Sequence, residues 1–142
     1  MIFSIDFLKG FLTVLLSNYL WQNEDLTILT ALVLVIGNIF SIFLGLKGGK
    51  GVATSAGVLF YFEPVLILCL AIFQISSLKV TKIMSISTFS TIILLILVTY
   101  FTNSSKILYF TLCLSSLVIF AHRENIRKLI NKTENGLKNP KN

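Results

Sequence analysis

The run Lys47-Gly48-Gly49-Lys50-Gly51-Val52-Ala53-Thr54 is the stretch of this sequence best suited to hold an anion. Three glycines within five residues let the backbone turn with positive φ and bring its N–H groups close to a ligand. Successive N–H groups in such turns form anion-binding concavities. If residues 52–62 are helical, the helix N-terminus adds a partial positive charge and unpaired donors. Lys47 and Lys50 supply point charges, and Thr54 a further donor. The composite is a phosphate cradle. It is not a nucleotide P-loop, which needs glycine where Leu44 stands and Ser or Thr where Gly51 stands. The competing reading is a basic loop whose glycines serve only a tight turn.

A second group, His122-Arg123-Glu124-Asn125, gathers an imidazole, a guanidinium, a carboxylate and an amide at one point of the chain. An imidazole can move a proton near neutral pH, a guanidinium can grip a phosphate bidentately, and Glu124 could orient either. The alternative is a charged cluster that stops a membrane span. Asp6 and Lys9, one helical turn apart, are expected to form an i,i+3 pair. Ser85 and Ser87 follow Lys79 and Lys82 and could hydrogen-bond a ligand, although serine also glues membrane helices together. Cys69 and Cys113 fall within apolar stretches that disfavour a thiolate. Two cysteines and one histidine exclude a disulfide scaffold and any site needing two imidazoles, so no metal or cofactor is expected.

The elements that must position these groups are apolar. Of 142 residues, 55% are hydrophobic and 13% charged, about half of the roughly 25% that soluble domains carry. Mean hydropathy is +0.87. A soluble exterior cannot be built from this supply, and the composition predicts an all-α, polytopic transmembrane helix bundle.

Six apolar runs, at about 8–21, 26–46, 52–62, 65–78, 83–101 and 105–121, are the candidate membrane segments. Only the second and fifth approach the ~20 residues that span a bilayer unaided. The run 52–62 reads as a half-helix supported by its neighbours. With six alternating segments and both termini cytoplasmic, Lys106 is the single one of twelve basic residues on the outer side, with Glu24, Asp25 and Glu63. Trp21, Tyr61 and Tyr100 then sit at the outer interface. The +6 charge reports topology rather than a nucleic-acid surface. Residues 1–122 read as a membrane domain and 123–142 as a basic cytoplasmic tail. The tail begins as a short amphipathic helix, with Ile126, Leu129 and Ile130 on one face, drawn to anionic membrane lipid.

Together the two polar groups resemble the acyl-phosphate:glycerol-3-phosphate acyltransferase family (PlsY), bacterial inner-membrane enzymes that begin phospholipid synthesis. Its second motif is matched at Gly37, Phe40, Phe43, Leu44 and the whole run Lys47–Thr54, and its third at His122–Ile126. Lys82 with Ser85, and Asp6-x-x-Lys9-Gly10, also have family counterparts. Asn38 stands where the family has histidine, and Ser41 where it has proline. The family carries a further first span and a Gly-Ser-Gly-Asn-rich first motif with no counterpart here, so the chain is expected to begin just after them.

The resemblance implies acyl transfer from acyl phosphate to glycerol 3-phosphate, giving lysophosphatidic acid, in the inner membrane and without a cofactor. It assigns phosphate binding to Lys47, Gly48, Gly49, Lys50, Gly51, Thr54 and Ser85, and the handling of glycerol phosphate to His122, Arg123, Glu124 and Asn125. Two other readings stay open. One is a family member that folds without catalysing; the other is a small anion transporter subunit, which would want charges within spans and a pseudo-repeat. The number of copies in the assembly is not readable from the sequence.

Overall fold

The computed structural model describes residues 2–40, 49–102 and 105–131, and all regular structure among them is helical. The helices are α1 (Ile2–Trp21), α2 (Glu24–Ile39), α3 (Val52–Phe62), α4 (Pro64–Thr81), α5 (Met84–Thr102), α6 (Ser105–Ala121) and α7 (Arg123–Ile130). Their limits follow local chemistry. Asn23, in extended conformation, caps α2 by accepting from Asp25 N at 3.0 Å and Leu26 N at 3.1 Å. Pro64 opens α4 at a position whose N–H has no helical partner anyway. Lys82, left-handed at φ 59°, ends α4 and lets α5 return two residues later.

The burial pattern is inverted relative to a soluble bundle. Large apolar side chains such as Phe3, Leu12, Leu16, Leu68, Ile72 and Leu97 face outwards. Hydroxyl residues Ser17, Thr27, Thr54, Ser55, Ser85, Ser87, Thr88, Thr99, Thr111 and Ser115 are buried between helices. That is the arrangement lipid selects, because apolar side chains gain nothing by leaving it while small polar ones allow close helix approach and interhelical bonds. Ser17 Oγ donates to Thr30 Oγ1 across α1 and α2 at 3.1 Å. Gln74 staples α4 to α5, accepting from Thr91 Oγ1 at 2.5 Å and donating to Thr88 Oγ1 at 3.5 Å.

The expected run lengths need adjusting. Helix α1 starts at Ile2 rather than near residue 8, and α4 extends from Pro64 to Thr81 rather than 65–78. Polar residues at helix ends extend the helices beyond their apolar stretches. Among the described residues, α4 and α5 are the two helices long and apolar enough to cross a membrane by length and composition. A third results if α6 and α7 count as one span bent by 60°. The described part of α2 covers 16 residues, and the remainder of its expected run, 41–46, lies outside the described residues.

Helix α1 packs against α3 and α2, α4 against α5, and α6 against α5 and α2. The α1–α3 crossing is close because two glycines meet backbone. A Cβ at Gly10 would overlap the Thr54 carbonyl oxygen, and one at Gly57 the Phe7 carbonyl oxygen. Short α3 is thus the most enclosed helix, burying Ala53, Thr54, Ser55, Gly57, Val58 and Leu59, as a half-length segment must be to shed lipid contact. At one end of the bundle Lys106 pairs with Asp25 at 2.8 Å and Glu24 at 3.4 Å, joining α6 to α2. The end of α2, the start of α3 and the end of α6 lie at the other.

Candidate functional site

The glycine-lysine loop reaches α3 through Gly51, which adopts φ 74° and acts as the N-cap. Glycine is required there on two counts. The left-handed backbone penalises a side chain, and a Cβ would stand 3.1 Å from both Cγ1 and Cδ1 of Ile39. The first i→i−4 bond of α3 runs from Ser55 N to Gly51 O at 2.8 Å. The amides of Val52, Ala53 and Thr54 precede it, leaving donors at the loop. Lys50 and Gly49 are exposed beside them. Lys47 and Gly48, assigned to the same loop, lie outside the described residues.

One residue that sequence reasoning treated only as a departure from the family motif organises this loop. Asn38, in the last turn of α2, donates from Nδ2 to Thr54 Oγ1 at 2.8 Å. Its Oδ1 accepts from Lys9 Nζ at 3.3 Å, and its backbone carbonyl accepts from Gly49 N at 3.1 Å. The expected Asp6–Lys9 pair is therefore corrected: the Lys9 ammonium reaches across to α2, and no ion pair joins it to Asp6. An exposed lysine gains more from a fixed amide oxygen on a neighbouring helix than from a flexible carboxylate in its own. Asp6 instead faces the loop beside Asn38: a Cβ at Gly49 would lie 3.9 Å from Asp6 Oδ2 and 3.4 Å from Asn38 Nδ2. A polar amide one turn from the end of an apolar helix was the available signal.

The second group straddles the α6–α7 bend. His122 is buried, with Nδ1 2.8 Å from the Val118 carbonyl and its ring edge-on to Phe89 at 5.7 Å. A carbonyl can only accept, so Nδ1 bears the proton and Nε2 is the basic nitrogen of the neutral ring. Arg123 is exposed; its guanidinium lies 4.9 Å from the Phe120 ring centroid and donates to the Phe120 carbonyl at 3.4 Å. Glu124 is exposed in the first turn of α7 and Asn125 is half-buried. Ser85, at the start of α5, is buried.

The two groups share one end of the bundle, where they are joined by aromatic contact. Phe40, next after α2, lies 6.0 Å from the Phe120 ring that also carries Arg123. At this end the chain carries the Gly49–Gly51 stretch, the cations Lys9, Lys50 and Arg123, and the buried His122 imidazole of fixed tautomer. Such a set of groups can hold a phosphorylated molecule and move a proton. Cys69 and Cys113 are both exposed, within α4 and α6. No cluster of three or more metal-ligating side chains occurs among the described residues.

A family model described as glycerol-3-phosphate acyltransferase matches residues 1–132. A glycerol-3-phosphate acyltransferase of Thermoanaerobacter sp. (strain X514) is 36% identical over 137 residues, covering 96% of this chain and 69% of the relative. That of Streptococcus pneumoniae (strain Hungary19A-6) is 39% identical over 142 aligned residues, covering 94% and 67%. The fold matches the crystal structure of PlsY (YgiH), an integral membrane glycerol 3-phosphate acyltransferase, in its glycerol 3-phosphate form. The TM-score is 0.86 and the identity 29%, over 94% of this chain and 68% of that one. The same protein's lysophosphatidic acid form matches equally, at a TM-score of 0.86. The chain spans about two thirds of the length of these relatives.

Proposed function

The chain belongs to the glycerol-3-phosphate acyltransferase family, and from that premise we propose that it transfers an acyl group from an acyl phosphate to glycerol 3-phosphate, forming lysophosphatidic acid. The arrangement that most favours this is the Gly49–Thr54 stretch held by Asn38 at the end of α2, with that end meeting the end of α6 at the Phe40–Phe120 contact.

An acyl phosphate is an activated mixed anhydride with phosphate as its leaving group, so the reaction needs no covalent enzyme nucleophile. Its difficulty is electrostatic and geometric. Two unit charges about 4 Å apart repel by ~4 kcal/mol at an effective dielectric of about 20. Lys47, Lys50 and the amides of Gly48, Lys50 and Gly51 would offset that for the two phosphates, the Gly49 amide being engaged by the Asn38 carbonyl, with Thr54 and Ser85 as hydroxyl donors. Holding the glycerol hydroxyl against the acyl carbon supplies much of the remaining barrier reduction.

Arg123 and Asn125 would bind glycerol phosphate, and Glu124 would orient them. His122, protonated at Nδ1 toward Val118, offers Nε2 to the attacking hydroxyl. The hydroxyl oxygen then bonds to the acyl carbon as the carbon–phosphate-oxygen bond breaks, and inorganic phosphate leaves. The acyl chain would lie between helices, entering from the bilayer. The chain would sit in the inner membrane with both termini cytoplasmic, residues 1–122 forming the membrane domain and 123–142 a basic tail. The gathering of the Lys9, Lys50 and Arg123 segments at one end and of Glu24 and Asp25 with Lys106 at the other supports that orientation.

Purified protein given acyl phosphate and glycerol 3-phosphate should yield lysophosphatidic acid, and Lys50→Ala should abolish the product. No product above a heat-killed control overturns the proposal.

A further inference from the structure

Asn38 constrains the donors and acceptors around it by elimination. An ammonium has protons and no lone pair, so the amide must turn its oxygen toward Lys9. Its NH2 then faces Thr54, and because an NH2 only donates, Thr54 Oγ1 is held as the acceptor. The Thr54 proton is thereby left for another partner. Elsewhere in the bundle a helical hydroxyl donates to the carbonyl four residues back, as Thr88 does to Met84 and Thr99 to Leu95. Thr54 makes no such bond to Lys50, and among the described residues its proton has no acceptor. Its side chain is fully buried, where an unmet hydroxyl proton is costly.

We infer that Lys9 and Asn38 belong to the phosphate site. Lys9 is a further cation for the anion, and Asn38 is the positioning residue that aims the Thr54 hydroxyl proton at a phosphate oxygen. The Gly49 amide, anchored to the Asn38 carbonyl, keeps the loop in register with that proton. This rests on the acyltransferase reading and deepens it by adding two residues to its phosphate subsite.

The test is calorimetric titration of inorganic phosphate and of glycerol 3-phosphate into the full chain in detergent micelles, beside the turnover assay. Asn38→Ala and Thr54→Val should each weaken both ligands about tenfold, as losing one hydrogen bond to a charged group does. The double variant should be little weaker than the weaker single one, because both remove the same hydrogen bond from Thr54 to the anion. Thr54→Ser, which keeps the hydroxyl, should recover most of the affinity, and this pair carries the test if Asn38→Ala does not fold. Lys9→Met should flatten the dependence of phosphate affinity on salt. In turnover, the losses should appear in KM for glycerol 3-phosphate rather than in kcat. Turnover by the unaltered chain with unchanged affinity in Asn38→Ala and Thr54→Val would overturn the inference and leave the acyltransferase reading standing. Asn38-dependent phosphate binding without turnover would do the reverse. An unaltered chain that binds no phosphate overturns the inference as well.

Discussion

Asn38 Nδ2 lies 2.8 Å from Thr54 Oγ1, tying the last turn of α2 to the first turn of α3 across 16 residues of sequence. The bond closes the glycine-lysine loop at its base. The geometry at the end of the loop therefore depends on how tightly α2, α3 and, through Lys9, α1 are held together.

The loop's exit is the first place to test that dependence. Gly51→Ala must hold a side chain at φ 74° with its Cβ 3.1 Å from Ile39. It should cost about 1–2 kcal/mol of stability from the left-handed backbone. Thermal unfolding in detergent would show this, and KM for glycerol 3-phosphate should rise with it. An unchanged melting temperature would mean that α3 starts elsewhere.

Two helical glycines should respond in opposite directions. Gly57→Ala drives a methyl into the Phe7 carbonyl and must part α1 from α3, a clash of the kind that costs roughly 1–3 kcal/mol. Gly37→Ala meets nothing within 4 Å and should gain about 0.5–1 kcal/mol by removing backbone entropy from the unfolded chain. Melting curves of the two variants, moving apart on either side of the parent, would check both expectations.

Gln74 joins α4 to α5 by two side-chain bonds to Thr91 and Thr88. Both threonines also bond within their own helix, to the Ser87 and Met84 carbonyls. Replacing the amide by Gln74→Leu strands neither hydroxyl, so the cost should be about 1 kcal/mol, in line with interhelical hydrogen bonds in membranes. A loss several times larger would show that Gln74 has another task.

His122→Gln removes the imidazole while keeping a side chain able to donate toward Val118. If the ring takes the hydroxyl proton, kcat should fall about a hundredfold or more and KM should hardly change. The acidic limb of the pH–rate profile, which requires neutral imidazole, should vanish. A parallel rise in KM with kcat preserved would instead make His122 a binding residue.

Membrane residence and helicity were both legible in the sequence, because each depends on local chemistry. Apolar runs must be helical in lipid to satisfy their backbones. Gly51 directly after Lys50 announces a sharp basic turn whatever surrounds it, and α3 from Val52 to Phe62 follows the apolar run itself. The partner of Lys9 was not legible. Sequence spacing favoured Asp6, whereas the amide of Asn38, supplied by another helix 29 residues away, takes the ammonium.

The amino-acid sequence by itself determined the solvent this protein needs, its helical segments and the residue types offered to a phosphate. Only the tertiary structure decided which of them meet. The α1–α3 crossing at Gly10 and Gly57 sets how near Lys9 can come to the loop, and the packing of α2 against α6 places Phe40 beside Phe120. Such meetings depend on helix-to-helix distances fixed by interlocking surfaces from distant parts of the chain. No local pattern encodes those distances, so the Lys9–Asn38–Thr54 relay emerges only when the helices are assembled.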